Sequence, residues 1–207
     1  QKLIEESAFA LPQEIRHEVF DHSLRLIDEM DYVGAGTVEF IYDLKDRCVY
    51  FMEMNTRLQV EHPVSEMVTG VDLVKQQFGI ASGESIAQLK PRNDGHAIEV
   101  RINAERVEIT DSGELRFVPA PGEVTDFDFP EESHVRVIPA VQPNSVVSPH
   151  YDSLIAQVIV WGRSRKEAVS RLSDYLGRVR IHGVPTNLEL QRMILDDAGF
   201  RRGRFDT

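Results

Sequence analysis

Thr37-Val38-Glu39-Phe40-Ile41-Tyr42 and Val49-Tyr50-Phe51-Met52-Glu53-Met54, joined by the polar segment Asp43–Arg47, decide how this chain is read. Both runs are rich in β-branched and aromatic residues, and a short polar connection between two such runs predicts a β-hairpin. Glu39 and Glu53 lie symmetrically about Asp46, since (39 + 53)/2 = 46. In a symmetric antiparallel hairpin they face each other with Cβ atoms about 4.5–5.5 Å apart, where like charges are destabilising. A divalent cation between them removes the conflict, and Mg²⁺ in phosphoryl-transfer sites is held by one or two carboxylates plus substrate phosphates. Asn55, two residues beyond Glu53, projects from the same strand face and offers another hard oxygen. The other reading is a solvent-exposed face with two unpaired glutamates.

The residues that follow bear on that choice. From Glu53 the odd positions are Glu53, Asn55, Arg57, Gln59 and Glu61, and the even ones Met54, Thr56, Leu58, Val60 and His62. If the chain stays extended, one side is wholly polar and the other largely apolar. Pro63 constrains how far the extension runs.

Upstream of the hairpin, Ile15, Val19, Leu26, Ile27 and Met30 recur at helical spacing, which predicts a helix over 13–30 ended by Gly34-Ala35-Gly36. Downstream, Asp72 can cap a helix running to Ser82, with Gly83 as its stop. The polar stretch Lys90–Gly95 is the candidate boundary, giving domains 1–90 and 91–207. Beyond it, His96–Asn103 alternates Ile98, Val100 and Ile102 with Glu99, Arg101 and Asn103. Gly122–Phe127, Val135–Ile138 and Ser153–Trp161 read as further strands separated by proline-containing turns, and Asp111–Glu114 as a solvated turn. Two helices close the chain, opened by capping boxes Ser164/Glu167 and Thr186/Glu189. The fold class is α+β, with a mostly antiparallel sheet and helices segregated towards the C-terminus.

Composition narrows the partners. Acidic residues exceed basic ones by 34 − 23 = 11, and no basic stripe interrupts the excess, so nucleic acid is not an expected partner. The longest apolar runs fall far short of the ~20 residues that span a membrane. With no signal peptide, a soluble cytoplasmic protein is expected, and with no initiator Met the chain reads as a fragment or processed piece. Cys48 is the one cysteine, which rules out an internal disulfide; beside Arg47 and Val49 it reads as an incidental strand residue rather than a redox centre. His62, His96, His134, His150 and His182 show no metal-ligand spacing and read as packing or surface residues.

The string Phe51-Met52-Glu53-Met54-Asn55-Thr56-Arg57-Leu58-Gln59-Val60-Glu61-His62-Pro63 resembles the signature of biotin carboxylases, members of the ATP-grasp superfamily. Gly34–Phe40, Glu99-Val100-Arg101-Ile102-Asn103-Ala104-Glu105 and Ser148-Pro149-His150-Tyr151-Asp152-Ser153 match as well, and the resemblance runs almost the whole chain. It implies the C-terminal part of an ATP-grasp domain followed by the biotin carboxylase C-terminal domain. It also implies ATP-dependent carboxylation of biotin by bicarbonate through carboxyphosphate. Glu39, Glu53 and Asn55 would bind Mg²⁺ or Mn²⁺ ions that bridge the ATP phosphates, and Ile41 would contact adenine. Arg57 and the backbone of Gln59 and Val60 would hold bicarbonate, with Glu61 as the base that deprotonates it. Arg136 would hold bicarbonate and stabilise the biotin enolate; read from the residues alone, it is a structural ion-pair arginine.

The resemblance further implies a biotin carboxyl carrier protein or domain, a carboxyltransferase and a homodimeric parent. The nucleotide-fold domain, the glycine-rich lid and the phosphate-gripping lysines of a complete biotin carboxylase have no counterpart here, so this stretch alone is expected to be inactive. The parent would be an acetyl-CoA or propionyl-CoA carboxylase, with pyruvate carboxylase as the alternative. Another ATP-grasp ligase such as carbamoyl phosphate synthetase, or a non-catalytic dimerisation fragment, are competing classes. Two departures stand out: Gln157 occupies a position usually held by Lys, and Val137-Ile138-Pro139 follows Arg136 where an acid is usual.

Overall fold

The computed structural model describes residues 3–8 and 11–205. In chain order the elements are β1 (Ile4–Glu6), α1 (Gln13–Glu29), β2 (Thr37–Asp43), β3 (Cys48–Asn55), α2 (His62–Thr69), α3 (Leu73–Ala81), β4 (His96–Asn103), β5 (Glu105–Ile109), β6 (Leu115–Pro119), β7 (Gly122–Val124), β8 (Asp126–Asp128), β9 (Val135–Pro139), β10 (Ser145–Val147), β11 (Leu154–Gly162), α4 (Arg165–Leu176), β12 (Arg180–His182), α5 (Leu188–Asp196) and α6 (Ala198–Arg201). They form two units. One spans Ala8–Asn93; the other joins the residues up to Ser7 with those from Asp94 onward. The sequence-based division at residue 90 assigns the opening residues to the unit that follows them, whereas β1 pairs with β4, with Ile4 opposite Val100. Three residues carry no periodicity, so only the partner strand defines β1.

The larger unit is built on an antiparallel sheet of order β1-β4-β11-β9. One face carries Ile98, Val100, Ile102, Val158 and Val160, which pack with Ala168, Val169, Leu172 and Leu176 of α4 and Leu195 of α5. Each fully buried aliphatic side chain of this size contributes about 1.5–3 kcal/mol of transfer free energy. The stretch expected as one strand over 122–127 divides at Thr125, whose N–H donates to His182 O at 3.0 Å. Its first part pairs with β10 and its second with β12.

The α4 cap follows the capping-box expectation, with Ser164 Oγ accepting from Glu167 N. The α5 cap does not: the N-cap residue is Asn187, not Thr186. Asn187 is fully buried, its Oδ1 accepting from Asn103 N at 3.0 Å and its Nδ2 donating to Arg101 O at 3.1 Å. An amide that satisfies two strand backbone groups anchors the helix start more firmly than a hydroxyl that caps its own turn.

In the other unit, α1 begins at Gln13 and α3 is capped by Asp72, which accepts from Lys75 N at 2.8 Å. α2 opens with Pro63 in its first turn and stops at Gly70, left-handed with φ 71. Val38 and Met54, from one face of the β2–β3 hairpin, line a cavity of about 550 Å³ with Phe20, Ile27, Leu58 and Ile80. Among the described residues no helix is long and apolar enough to cross a membrane.

Candidate functional site

The hairpin places Glu39 directly opposite Glu53. The geometry that achieves this is not the symmetric one. Pairs near the turn, such as Asp43 with Cys48 and Phe40 with Phe51, follow a register one residue shorter, and a bulge between Glu39 and Phe40 takes up the difference. Met52 is the surplus residue of β3. Without the bulge Glu39 would face Met52, and Glu53 would turn to the other side.

Asn55 Nδ2 donates to Glu39 Oε1 at 2.8 Å and to Glu53 Oε1 at 3.0 Å, so both carboxylates and the amide converge on one point. Gln59 Nε2 donates to Glu39 Oε1 at 3.1 Å, and Arg57 Nη1 to Gln59 Oε1 at 3.3 Å. The amide N–H groups thus sit where a cation would neutralise the opposed acids. Turning the Asn55 amide about its axis presents Oδ1 to the same point. Two carboxylates and an amide oxygen form a hard-oxygen donor set that fits Mg²⁺ or Mn²⁺, provided phosphate or water completes the shell. No group of three or more His, Cys, Asp or Glu side chains suited to a metal occurs among the described residues, so no all-protein cage competes with this pair.

The extended run does not reach Glu61. β3 ends at Asn55, the chain bends, and Glu61 is the N-cap residue of α2 with φ −78 and ψ 7. Pro63 favours the first helical turn and so draws Glu61 and His62 out of the strand. Gln59 returns to Glu39 because of the bend, not because of two-residue alternation. His62 Nδ1 lies 2.8 Å from Gln59 O, which holds that bend closed. Glu61 is half-buried, Val60 is exposed, and Ile41 is exposed opposite Tyr50, on the carboxylate face of the hairpin.

Arg136 belongs to the larger unit. It lies on β9 opposite Ile159, on the sheet face turned away from α4. That face holds a cross-strand row of Glu5, Glu99, Ile159 and Arg136, and beside it a second row of Arg101, Gln157 and Ile138. Glu99 is fully buried and accepts from Gln157 Nε2 at 2.8 Å. Arg101 Nη2 lies 2.9 Å from Glu5 Oε1, and Arg101 Nε 3.9 Å from Glu99 Oε1. The Glu99/Arg101/Asn103 alternation marks a strand but does not reveal that its polar face is enclosed, so the pattern alone gives no sign of this network. Gln157, the first departure noted in the sequence, lies directly across from Ile138, the middle residue of the second, Val137-Ile138-Pro139.

Comparison with known proteins converges on one family. Residues 99–207 match the biotin carboxylase C-terminal domain, and residues 1–89 match the ATP-binding domain of the carbamoyl-phosphate synthase L chain. Biotin carboxylase 1 of Bacillus subtilis is 44% identical over 210 residues, covering all of this chain and 45% of that protein. A pyruvate carboxylase subunit from Methanothermobacter thermautotrophicus is 42% identical, covering all of this chain and 41% of that protein. The biotin carboxylase domain of Hydrogenobacter thermophilus 2-oxoglutarate carboxylase, solved with MgADP, ADP and bicarbonate, superposes with a TM-score of 0.90 at 41% identity, covering all of this chain and 45% of that one. The chain therefore spans somewhat under half the length of the relatives it matches. The hairpin signature, the α+β unit that follows it and these matches agree: the chain belongs to the biotin carboxylase family.

Proposed function

We propose that this chain is part of an ATP-dependent biotin carboxylase, a ligase that transfers bicarbonate carbon to biotin borne on a carrier protein or domain. The observation that carries this reading is the convergence of Glu39, Glu53 and Asn55 on one point, with Gln59 and Arg57 hydrogen-bonded next to it. Mg²⁺ or Mn²⁺ held there would supply charge neutralisation of nucleotide phosphates. Ile41, on the same hairpin face, would flank the adenine.

Bicarbonate is a planar oxyanion, and the planar guanidinium of Arg57 can meet it with two parallel hydrogen bonds. The backbone of Gln59 and Val60 would complete its cradle. Glu61, fixed at the start of α2, would take the bicarbonate proton as attack on the γ-phosphate begins. Positioning and charge neutralisation account for most of the protein's contribution to such a transfer. The carboxyltransferase, a homodimeric parent and a cytoplasmic setting belong to the same proposal. So does the acyl acceptor, acetyl-CoA or propionyl-CoA, with pyruvate as the alternative. The division into an ATP-grasp part, 1–90, and a C-terminal domain, 91–207, rests on the polar stretch Lys90–Gly95 and the names of its parts on the resemblance, as does the inactivity of this stretch alone.

For the charge developing on biotin, Arg136 is the first candidate. Arg101 is a second, favoured by its enclosure and by the two carboxylates beside it, which hold its guanidinium in one orientation. Removing a donor aimed at a developing oxyanion costs on the order of 10²–10³ in rate. In the intact carboxylase, Glu61→Gln should suppress both biotin carboxylation and the bicarbonate-dependent ATP cleavage measured without biotin. Alanine at the biotin-facing arginine should suppress carboxylation while leaving that ATP cleavage within a few-fold. Wild-type rates of both reactions in Glu61→Gln would overturn the assignment of the base. An arginine whose removal depresses both activities equally has no biotin-specific role.

A further inference from the structure

Gln59 is held at three places. Its side-chain Nε2 donates to Glu39 Oε1 at 3.1 Å, its Oε1 accepts from Arg57 Nη1 at 3.3 Å, and its backbone oxygen lies 2.8 Å from His62 Nδ1. The first two contacts tie Gln59 to the carboxylates and to the guanidinium beside them. The third comes from outside that group. By spacing alone His62 counts as a packing or surface residue; in the structure it is half-buried and is the first residue of α2. A carbonyl oxygen only accepts, so Nδ1 carries the proton in this contact. The neutral ring in its Nδ1–H form and the imidazolium both meet that condition, so either charge state of the ring keeps the bond. The His62 backbone N–H reaches the same oxygen at 3.3 Å, longer than the usual distance of about 2.9–3.0 Å, so the ring supplies the stronger hold.

What the ring fixes is a peptide plane. No peptide bond among the described residues is cis. In a trans peptide the C=O and the N–H lie in one plane and point opposite ways. The oxygen of the Gln59–Val60 peptide is pinned towards the start of α2, so its N–H, which belongs to Val60, is aimed away from His62. Rotation about Gln59 ψ and Val60 φ is soft and would otherwise let this plane turn. Val60 is exposed, so the packing of its side chain does little to stop that.

We propose that His62 is a positioning residue for the anion site: by pinning Gln59 O, its ring aims the Val60 N–H at bicarbonate. This rests on the reading of Arg57 and the Gln59–Val60 backbone as the bicarbonate cradle. The ring itself neither touches the anion nor moves a proton. A backbone N–H that meets an oxyanion makes a charge-assisted hydrogen bond, roughly twice as strong as a neutral one. Its strength falls steeply as the donor turns off line. A peptide free to turn therefore loses bicarbonate affinity while the hairpin, the paired carboxylates and the fold stay as they are.

The test measures the KM for bicarbonate and the KM for ATP separately in the intact carboxylase. His62→Phe keeps a flat ring and removes the donor. It should raise the KM for bicarbonate at least about tenfold, the size expected when one charge-assisted hydrogen bond is misaimed, and leave the KM for ATP within about twofold. In His62→Asn the amide nitrogen stands as many bonds from the backbone as Nδ1 does, so most of the loss should be recovered. The pH profile of kcat/KM for bicarbonate should keep its shape in that variant, because Nδ1 donates in both charge states of the ring. Arg57→Ala separates this inference from the reading beneath it. If Arg57→Ala raises the KM for bicarbonate and His62→Phe does not, the anion site stands and the positioning role falls. If neither moves it, both fall. Equal rises in the two KM values of His62→Phe, or no recovery in His62→Asn, would make His62 a structural residue only. An ionisation that disappears from the pH profile would make it an acid or base instead. One measurement needs no variant: in the 207-residue chain carrying isotope-labelled histidine, nitrogen NMR should find the neutral His62 ring protonated on Nδ1. A neutral ring protonated on Nε2 would overturn the proposal.

Discussion

Gly95 has φ +69, and a Cβ on it would lie 2.4 Å from Gly162 O and 2.5 Å from Trp161 Nε1. That close approach lets Trp161 Nε1 donate to Asp94 O at 2.9 Å. Gly95→Ala should therefore cost on the order of 2 kcal/mol or more, through left-handed strain and a backbone clash together. Urea unfolding would read the loss, and the emission of Trp161, the single tryptophan, would shift as its hydrogen bond breaks. At Tyr175 the hydroxyl is buried without a hydrogen-bond partner. Burial first, then the nearby Glu132 carboxylate, push its pKa from 10.0 up to about 12, against the lowering effect of Arg178. The folded state thus holds the proton more tightly than the unfolded one. The resulting stability is fully present below pH 10 and is lost as pH rises towards 12. Two pH units correspond to about 2–3 kcal/mol. Tyr175→Phe should flatten that part of the pH–stability curve relative to wild type; parallel curves would count against the burial effect.

Among the elements, those with their own periodicity or capping chemistry are legible in the sequence. α1, the β2–β3 hairpin, α3 and β4 fall within a residue or so of their expected bounds, and α4 starts at its expected cap. Elements defined by distant partners are not: β1 needs β4, β10 needs β7 and β12 needs β8. The opposition of Glu39 and Glu53 is legible, but through a symmetry the hairpin does not possess, because a bulge is invisible until the turn register is known. Arg57 and Gln59 converge with them through a bend that Pro63 imposes. The start of α5 tests the same distinction. A capping box assigns the cap to Thr186, whereas the structure gives the helix start to Asn187. Asn187→Ala should cost about 2–4 kcal/mol, since a strand N–H and a carbonyl lose buried partners together. Thr186→Ala should cost less than about 1 kcal/mol, its hydroxyl reaching Leu188 N only at 3.4 Å. Equal losses in thermal unfolding would restore the capping-box reading.

At the scale of the whole molecule, residues 8–93 are inserted between two strands that pair with each other, β1 and β4. Leu3 O accepts from Arg101 N at 3.0 Å and from Gln191 Nε2 at 3.1 Å, and Glu6 holds His96 at 2.7 Å and Arg165 at 2.8 Å. The opening residues are thus bound to α4, α5 and β4. Synthesis and folding do not follow one order here: β1 must wait for β4 until some ninety residues further on that strand has left the ribosome. A protease that nicks the Ala8–Asn93 segment should leave the N-terminal peptide co-purifying with the C-terminal fragment under native conditions, to be released only by denaturant.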